Sequence, residues 1–269
     1  MKILDKEIIT SQQNKIIKHT KGLQLKKNRR IYKQFIIEGI RIIEECLLHQ
    51  LSIEYIIYSE ELMKLQGGNL LLENAMKTYR CYQVSHDIFL KLSDTDNPQG
   101  ILAIVNMKNR DLESISIGED AFWVVLDRIQ DPGNMGTIIR TAEAAGADAV
   151  VLTKGCVDPY NSKTVRATMG GLLHIPIIET KDNEEWIKPL KNNNVKLIAS
   201  DLDTKETYLD IDYKGNIAII IGNEANGIDK ELLQQVDVSV KIPILGKIES
   251  LNASIAAAIL IYKAIEHKA

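Results

Sequence analysis

The sequence predicts an α/β protein in two parts, a C-terminal domain built on a parallel sheet preceded by a smaller α/β domain. Three observations carry this. Short β-rich runs alternate with helical stretches along most of the chain, the pattern of an α/β layer. In the C-terminal half those runs are mostly apolar throughout, as strands buried on both faces of a parallel sheet are. The alternation fails once, from Lys108 to Asp120, where charge replaces periodicity and Gly118 stands near the end. With 269 residues and 45% hydrophobic content, the chain is long enough for two cores. The expected division is 1–108, a linker at 109–120, and 121–269.

The elements follow in order. Residues 15–33 hold eight positive charges, Lys15, Lys18, Lys21, Lys26, Lys27, Arg29, Arg30 and Lys33, and no acid, in a chain whose net charge is -3. A basic arm on an otherwise acidic protein is the footprint of a phosphate-backbone contact, although a solvated helix face has the same composition. From Gln34 come QFIIEG, a helix over Ile40 to Gln50, IEYIIYS, a helix after Glu60, YRCYQVS, a short helix and GILAIVNM. After the linker, AFWVVLDRI, DAVVLT, IPIIE, VKLIASD, NIAIIIG and VSVKIPI read as parallel strands separated by helical patterns. An apolar helix from Ala253 to Ile265 closes the series, with little polar face to give to water, and is expected against the core or a partner. There are no repeats.

Composition narrows the function. Cys46, Cys81 and Cys156 are odd in number, widely spaced and without a CxxC pair, which argues against a disulfide framework and a cysteine-built metal site. No metal is expected. The longest apolar stretch, Ala253 to Tyr262, is roughly half the ~20 residues a spanning helix needs, and no secretory leader opens the chain. The expectation is a soluble, cytoplasmic protein with no membrane partner. No GxGxxG follows a strand, and GxxxxGK[ST], GxSxG and HExxH are absent, so ordinary dinucleotide, triphosphate, hydrolase and zinc readings lose ground.

In parallel sheets, ligands bind beyond the carboxyl ends of the strands, so the polar loops there carry the chemistry. Three stand out. In QDPGNMG, Pro132 and Gly133 make a turn and Asn134 can cap the helix TIIRTAEAAG that follows. Arg140 is expected one turn into that helix, near its positive end, where an arginine is better explained by an anionic partner than by the helix itself. In GNEANG, after the strand NIAIIIG, an Asn-Gly turn is ordinary, but Glu224 is a carboxylate just beyond a strand's end. In LGKIESLNAS, one of Ser250, Asn252 or Ser254 suffices to cap the last helix, and the cluster exceeds what capping needs.

Together the three loops resemble the SpoU (TrmH-like) family of RNA ribose methyltransferases in the SPOUT superfamily, on the stretches DPGNMGTIIRTAEAAGAD, IIIGNEANGI and IPILGKIESLNASIAAAILIY. The stretch ITSQQNKIIKHTKGLQLKKNRRIYKQFIIEG is similar to the family's RNA substrate-binding domain, which is like ribosomal protein L30e. The resemblance implies a catalytic domain closed by a deep trefoil knot, an exception to the rule that chains do not thread loops. It implies binding of S-adenosyl-L-methionine, with Gly222, Ile242 and Leu251 walling the cofactor and Ala199 a further candidate. It implies methyl transfer to a ribose 2′-hydroxyl of structured RNA, with 23S ribosomal RNA favoured over transfer RNA, by a homodimer. The candidate catalytic set carried over is Asn134, Arg140, Glu224, Ser250 and Asn252.

For Arg140 the family proposal is activation of the hydroxyl, but a guanidinium is a poor proton acceptor near neutrality, so orienting a phosphate and stabilising the developing alkoxide is the expected role. Glu224 either fixes Arg140 or takes the proton. Competing readings are a non-catalytic RNA-binding protein, methylation of a base nitrogen, and a small-molecule methyltransferase, the last of which leaves the basic arm without a purpose.

Overall fold

The structure, a computed structural model, describes residues 7–108, 112 and 117–266. Contacts divide the chain into two compact units: residues up to Lys108 with Tyr160–Arg166, and Asn109–Pro159 with Ala167 onward. The sequence assigns 160–166 to the C-terminal domain. It groups instead with the first unit, where the Tyr160 ring packs on Phe35 at 4.9 Å and Arg166 pairs with Asp94 at 3.4 Å. Of the expected linker, 109–111 and 113–116 lie outside the described residues.

The first unit begins with two short helices, α1 (Lys15–Gly22) and α2 (Lys26–Tyr32), followed by β1 (Gln34–Glu38), α3 (Ile40–Leu48), β2 (Ile53–Tyr58), α4 (Gly68–Thr78), β3 (Cys81–Gln83), α5 (His86–Leu92) and β4 (Ile101–Asn106). The basic stretch is therefore a pair of helices. Asn14 opens α1 by accepting from the Ile16 N–H, and Arg29 holds the turn between the helices by donating to the Leu23 and Gln24 carbonyls, both at 2.8 Å. Arg29 is only 5% exposed, so one of the eight charges is structural. The sheet runs β1-β4-β2-β3, antiparallel except for the β2–β3 pair. Ile17, Leu23, Tyr55, Ile57, Phe89 and Leu102 belong to a core cluster that ties α1 and α5 to the sheet.

The second unit contains β5 (Phe122–Leu126), α6 (Pro132–Ala144), β6 (Ala149–Leu152), β7 (Ile177–Glu179), α8 (Glu184–Asn192), β8 (Lys196–Ser200), β9 (Ile217–Ile221), α9 (Lys230–Leu233), β10 (Val238–Val240) and α10 (Ala253–Ile265), while α7 (Ser162–Ala167) straddles the division. All six strands form one parallel sheet in the order β10-β8-β9-β5-β6-β7. Side chains alternate across it. Trp123, Val125, Val151, Leu197 and Ile220 share a core with Trp186 and Leu190 of α8, while α6 and α10 pack on each other, α6 against β6 and α10 against β9. Each fully buried Val, Ile or Leu contributes roughly 1.5–3 kcal/mol, so these two covered faces, not the loops, carry the stability. Of VSVKIPI only Val238–Val240 is strand. Beyond it the chain runs without regular structure to Asn252, and residues 204–208 line the outer edge of β10 through Tyr208 N–H to Lys241 O and Lys241 N–H to Glu206 O, both 3.0 Å. No helix among the described residues is long and apolar enough to cross a membrane.

Candidate active site

The polar loops converge beyond the carboxyl ends of β5 and β9. Asp127, the first residue after β5, is 2% exposed and accepts from Thr153 Oγ1 at 2.9 Å, Arg128 Nε at 3.1 Å and the Asp229 N–H at 2.9 Å. A buried carboxylate needs such partners. These bonds join the loops after β5, β6 and β9 into one frame. Arg128 sits in the left-handed region at φ 57°, and its carbonyl receives Asn223 Nδ2 at 2.8 Å.

The helix after β5 starts earlier than the sequence suggests. Asp131 is its cap, its side chain accepting from the Asn134 N–H at 2.8 Å, with Pro132 in the first helical position, where its missing donor costs nothing. A Cβ at Gly133 would stand 2.9 Å from the capping oxygen of Asp131, which explains the glycine. Asn134 is thus not the cap but a first-turn residue whose side chain is left for other work. Arg140 is likewise not one turn in: it is the ninth of thirteen helical residues, beyond reach of the helix's positive end. It is exposed, and among the described residues no hydrogen bond or ion pair holds it.

Asn134, Glu224 and Asn252 meet. Asn134 Nδ2 donates to Glu224 Oε1 at 3.0 Å, and Asn252 Nδ2 donates to Asn134 Oδ1 at 3.0 Å. Asn252 also caps α10, its Oδ1 accepting from the Ser254 N–H at 2.9 Å and Ser254 Oγ at 2.7 Å. Glu224 further lies 3.4 and 3.5 Å from the backbone N–H groups of Asp131 and Gln130. The loop after β5 therefore holds this exposed carboxylate, and Asn252, from the loop before α10, holds Asn134 in turn. Ser250 is exposed two residues before Asn252 and has no hydrogen bond among the described residues.

The expected cofactor wall divides. Ile242 and Leu251 are half-buried at the two ends of the irregular segment after β10, which also carries Leu245, wholly exposed, and Ile248, 62% exposed. Ala199, at the end of β8, is 0% exposed and its side chain belongs to the core under the sheet, so only its backbone is offered to the sheet's edge. Gly222 is required by its own loop. A Cβ there would fall 2.4 Å from Gly227 C and 2.5 Å from Ile228 N, so the glycine lets GNEANG fold back on itself.

Sequence reasoning misses Asp127, Arg128, Asp131 and the segment Met169–Leu173. Asp127 is visible as a lone acid at the end of an apolar strand. In the last segment, Met169 and Gly170 have φ 48° and 98°, and a Cβ at Gly171 would lie 3.3 Å from Arg140 Cα, so backbone packs against α6 beside Arg140. Burial pushes the thiols of Cys46 and Cys81 up to about 12 and that of Cys156 up to about 11, which favours the neutral thiol.

A parallel sheet with polar loops gathered at its carboxyl edge defines an α/β enzyme architecture, and comparison with known proteins specifies it. The SpoU rRNA Methylase family matches residues 121–262, and the MRM3-like substrate binding domain matches residues 14–103. The chain belongs to the SpoU rRNA methylase family. It is 36% identical over 254 residues to the 23S rRNA (guanosine(2553)-2′-O)-methyltransferase RlmP of Bacillus subtilis, covering 94% of this chain and 97% of that protein. An AdoMet-bound rRNA methyltransferase from Sinorhizobium meliloti superposes with a TM-score of 0.87 at 32% identity, over 97% of this chain and 98% of that one. The SpoU methyltransferase AviRb from Streptomyces viridochromogenes, in complex with AdoMet, gives 0.86 at 26% identity, over 95% and 98%.

Proposed function

We propose that the chain transfers the methyl group of S-adenosyl-L-methionine to a ribose 2′-hydroxyl of 23S ribosomal RNA. The observation that carries this is the bonded series Glu224–Asn134–Asn252, which gathers the family's polar positions at the carboxyl edge of the sheet. RlmP and the Sinorhizobium protein are both rRNA methyltransferases.

The residues present fit the cofactor. Leu245 and Ile248 stand exposed beside half-buried Ile242 and Leu251 at this edge, an apolar surface suited to an adenosyl group. Ile242, Leu251, the backbone at Gly222 and that of Ala199 would hold it. When bound, it supplies an electrophilic methyl on sulfur. In the transfer an O2′–C bond forms, the S–C bond breaks, and the hydroxyl proton leaves. Glu224, held by Asn134, is the carboxylate that takes that proton. Arg140 stays charged, orients the target phosphate and stabilises the developing alkoxide. Ser250 and Asn252 position the ribose, Asn252 while fixing Asn134.

The exposed lysines of α1 and α2 would contact the RNA. The order of β8, β9 and β5, with residues 241–252 returning from the sheet edge to place α10 on α6, supports the trefoil knot. Ile255 and Tyr262, 52% and 53% exposed and two turns apart on α10, support a homodimer on that face. The rRNA methyltransferases it is similar to support a cytoplasmic location.

The test is incubation with methyl-labelled S-adenosylmethionine and unmodified 23S and transfer RNA transcripts, followed by alkaline hydrolysis. Label in alkali-resistant dinucleotides from 23S RNA is expected, reduced about 10²–10³-fold by Arg140→Ala. Label on mononucleotides would mean base methylation, and cofactor binding without transfer to any RNA would leave a binding protein.

A further inference from the structure

The first unit carries a groove that the proposed methyl transfer does not use. It encloses about 350 Å³, within the roughly 300–1,000 Å³ of small-ligand sites, and is lined by α1, the α1–α2 turn and the end of α5. Its accessible apolar surface comes from Leu25, 63% exposed in the turn, and from the stems of the lining lysines, over a floor closed by Ile17 and Leu92, each 2% exposed. Lys18, Lys21 and Lys91 line the same groove, all three exposed, and no carboxylate is among its described lining residues. None of the three lysines has an ion pair among the described residues.

The groove is preformed. Asn28 Nδ2 donates to the Gly22 carbonyl at 2.8 Å, Arg29 holds the Leu23 and Gln24 carbonyls, and Gln24 Nε2 reaches the Leu92 carbonyl at 3.3 Å, joining the turn to α5. A rigid wall loses little freedom on binding.

We propose that this groove holds one unpaired nucleotide of the RNA substrate, its base against Leu25 and the apolar floor and its flanking phosphates on Lys18, Lys21 and Lys91. Cations alone would serve any duplex. An apolar slot beside them is useful only to an unstacked base, because a duplex keeps its base faces inside. The exposed Leu25 amid lysines is the feature that a charge-only interaction leaves unexplained. This inference rests on the RNA-methyltransferase reading and names how the substrate is engaged.

Two variants of the full chain test it: Leu25→Ser, a charge-neutral change at an exposed position, and Lys18→Ala/Lys21→Ala/Lys91→Ala. The probes are a short fluorescent oligouridine and a blunt RNA duplex, titrated by anisotropy over a salt series, with cofactor binding as the control for folding. Leu25→Ser is expected to weaken oligouridine binding roughly tenfold, at the low end of what covering one leucine side chain contributes, and to leave the duplex unchanged. The lysine variant should lower the salt slope for oligouridine by about 0.7 for each phosphate it no longer neutralises. Unchanged oligouridine affinity in Leu25→Ser, or equal weakening for both probes, overturns the proposal. Ribose methylation by the native chain, followed in parallel, separates the two ideas. Methylation with binding indifferent to Leu25 removes the groove alone, whereas Leu25-dependent binding without any methylation removes the reaction and leaves the groove.

Discussion

Asn134 joins the site because an amide has a donating and an accepting end, and both are used: Nδ2 faces the Glu224 carboxylate and Oδ1 receives Asn252. An isosteric acid at this position turns the donor into a second acceptor against Glu224. Asn134→Asp should therefore lower kcat more than Asn134→Ala, with little change in thermal midpoint because the group is near the surface. Steady-state kinetics on an unmodified RNA transcript decide it, and equal activity of the two variants would remove Asn134 as the holder of Glu224. At this scale the sequence is informative about which loops are polar and less so about duties. Asn134 reads as a cap because Ser, Thr, Asp and Asn all cap helices, and only geometry tells that Asp131 has taken the role. Gly222 is legible as a special position, and the structure supplies a reason that needs no ligand: its missing Cβ makes room for its own loop.

Helix α6 shows how one element sets several positions at once. Its start at Pro132 determines that Asn134 lies in the first turn and Arg140 in the third, so shifting the start moves the whole array. Asp131→Ala removes the cap and should cost about 1 kcal/mol of stability, measured by urea unfolding. A larger fall in activity than in stability is expected, because the first turn carries Asn134; a stability loss with full activity would show that the turn holds itself. The early start is hidden in the sequence because Pro-Gly reads as a turn, yet proline is also favoured at a first helical position. The helices α1 and α2 are hidden differently. Their charges draw attention to solvent, while Ile17, Thr20, Leu23 and Arg29, the residues that face inward, form too short a period to stand out.

For the whole molecule, the six C-terminal strands are all legible as apolar runs, and their parallel sense follows from the helices between them. Their order is not, because β9 sits between β8 and β5 and no local signal records which gap a strand fills. Assembly is equally a property of the entire surface. If Ile255 and Tyr262 meet a second copy, the chain should sediment as a dimer and Tyr262→Glu should shift it to monomer; a concentration-independent monomer for the unaltered chain would remove the dimer. One consequence of the architecture concerns time. Asn134 finds Asn252 across 118 positions and Glu224 across 90, and the central strand β5 gains its neighbour β9 only late in the chain. During synthesis the first unit can complete its own sheet, β4 included, while the other half is still being translated. The second cannot assemble its chemistry until its last helix has left the ribosome, and such distant pairings close slowly. A nascent chain would thus have its basic helices folded before its polar loops could meet.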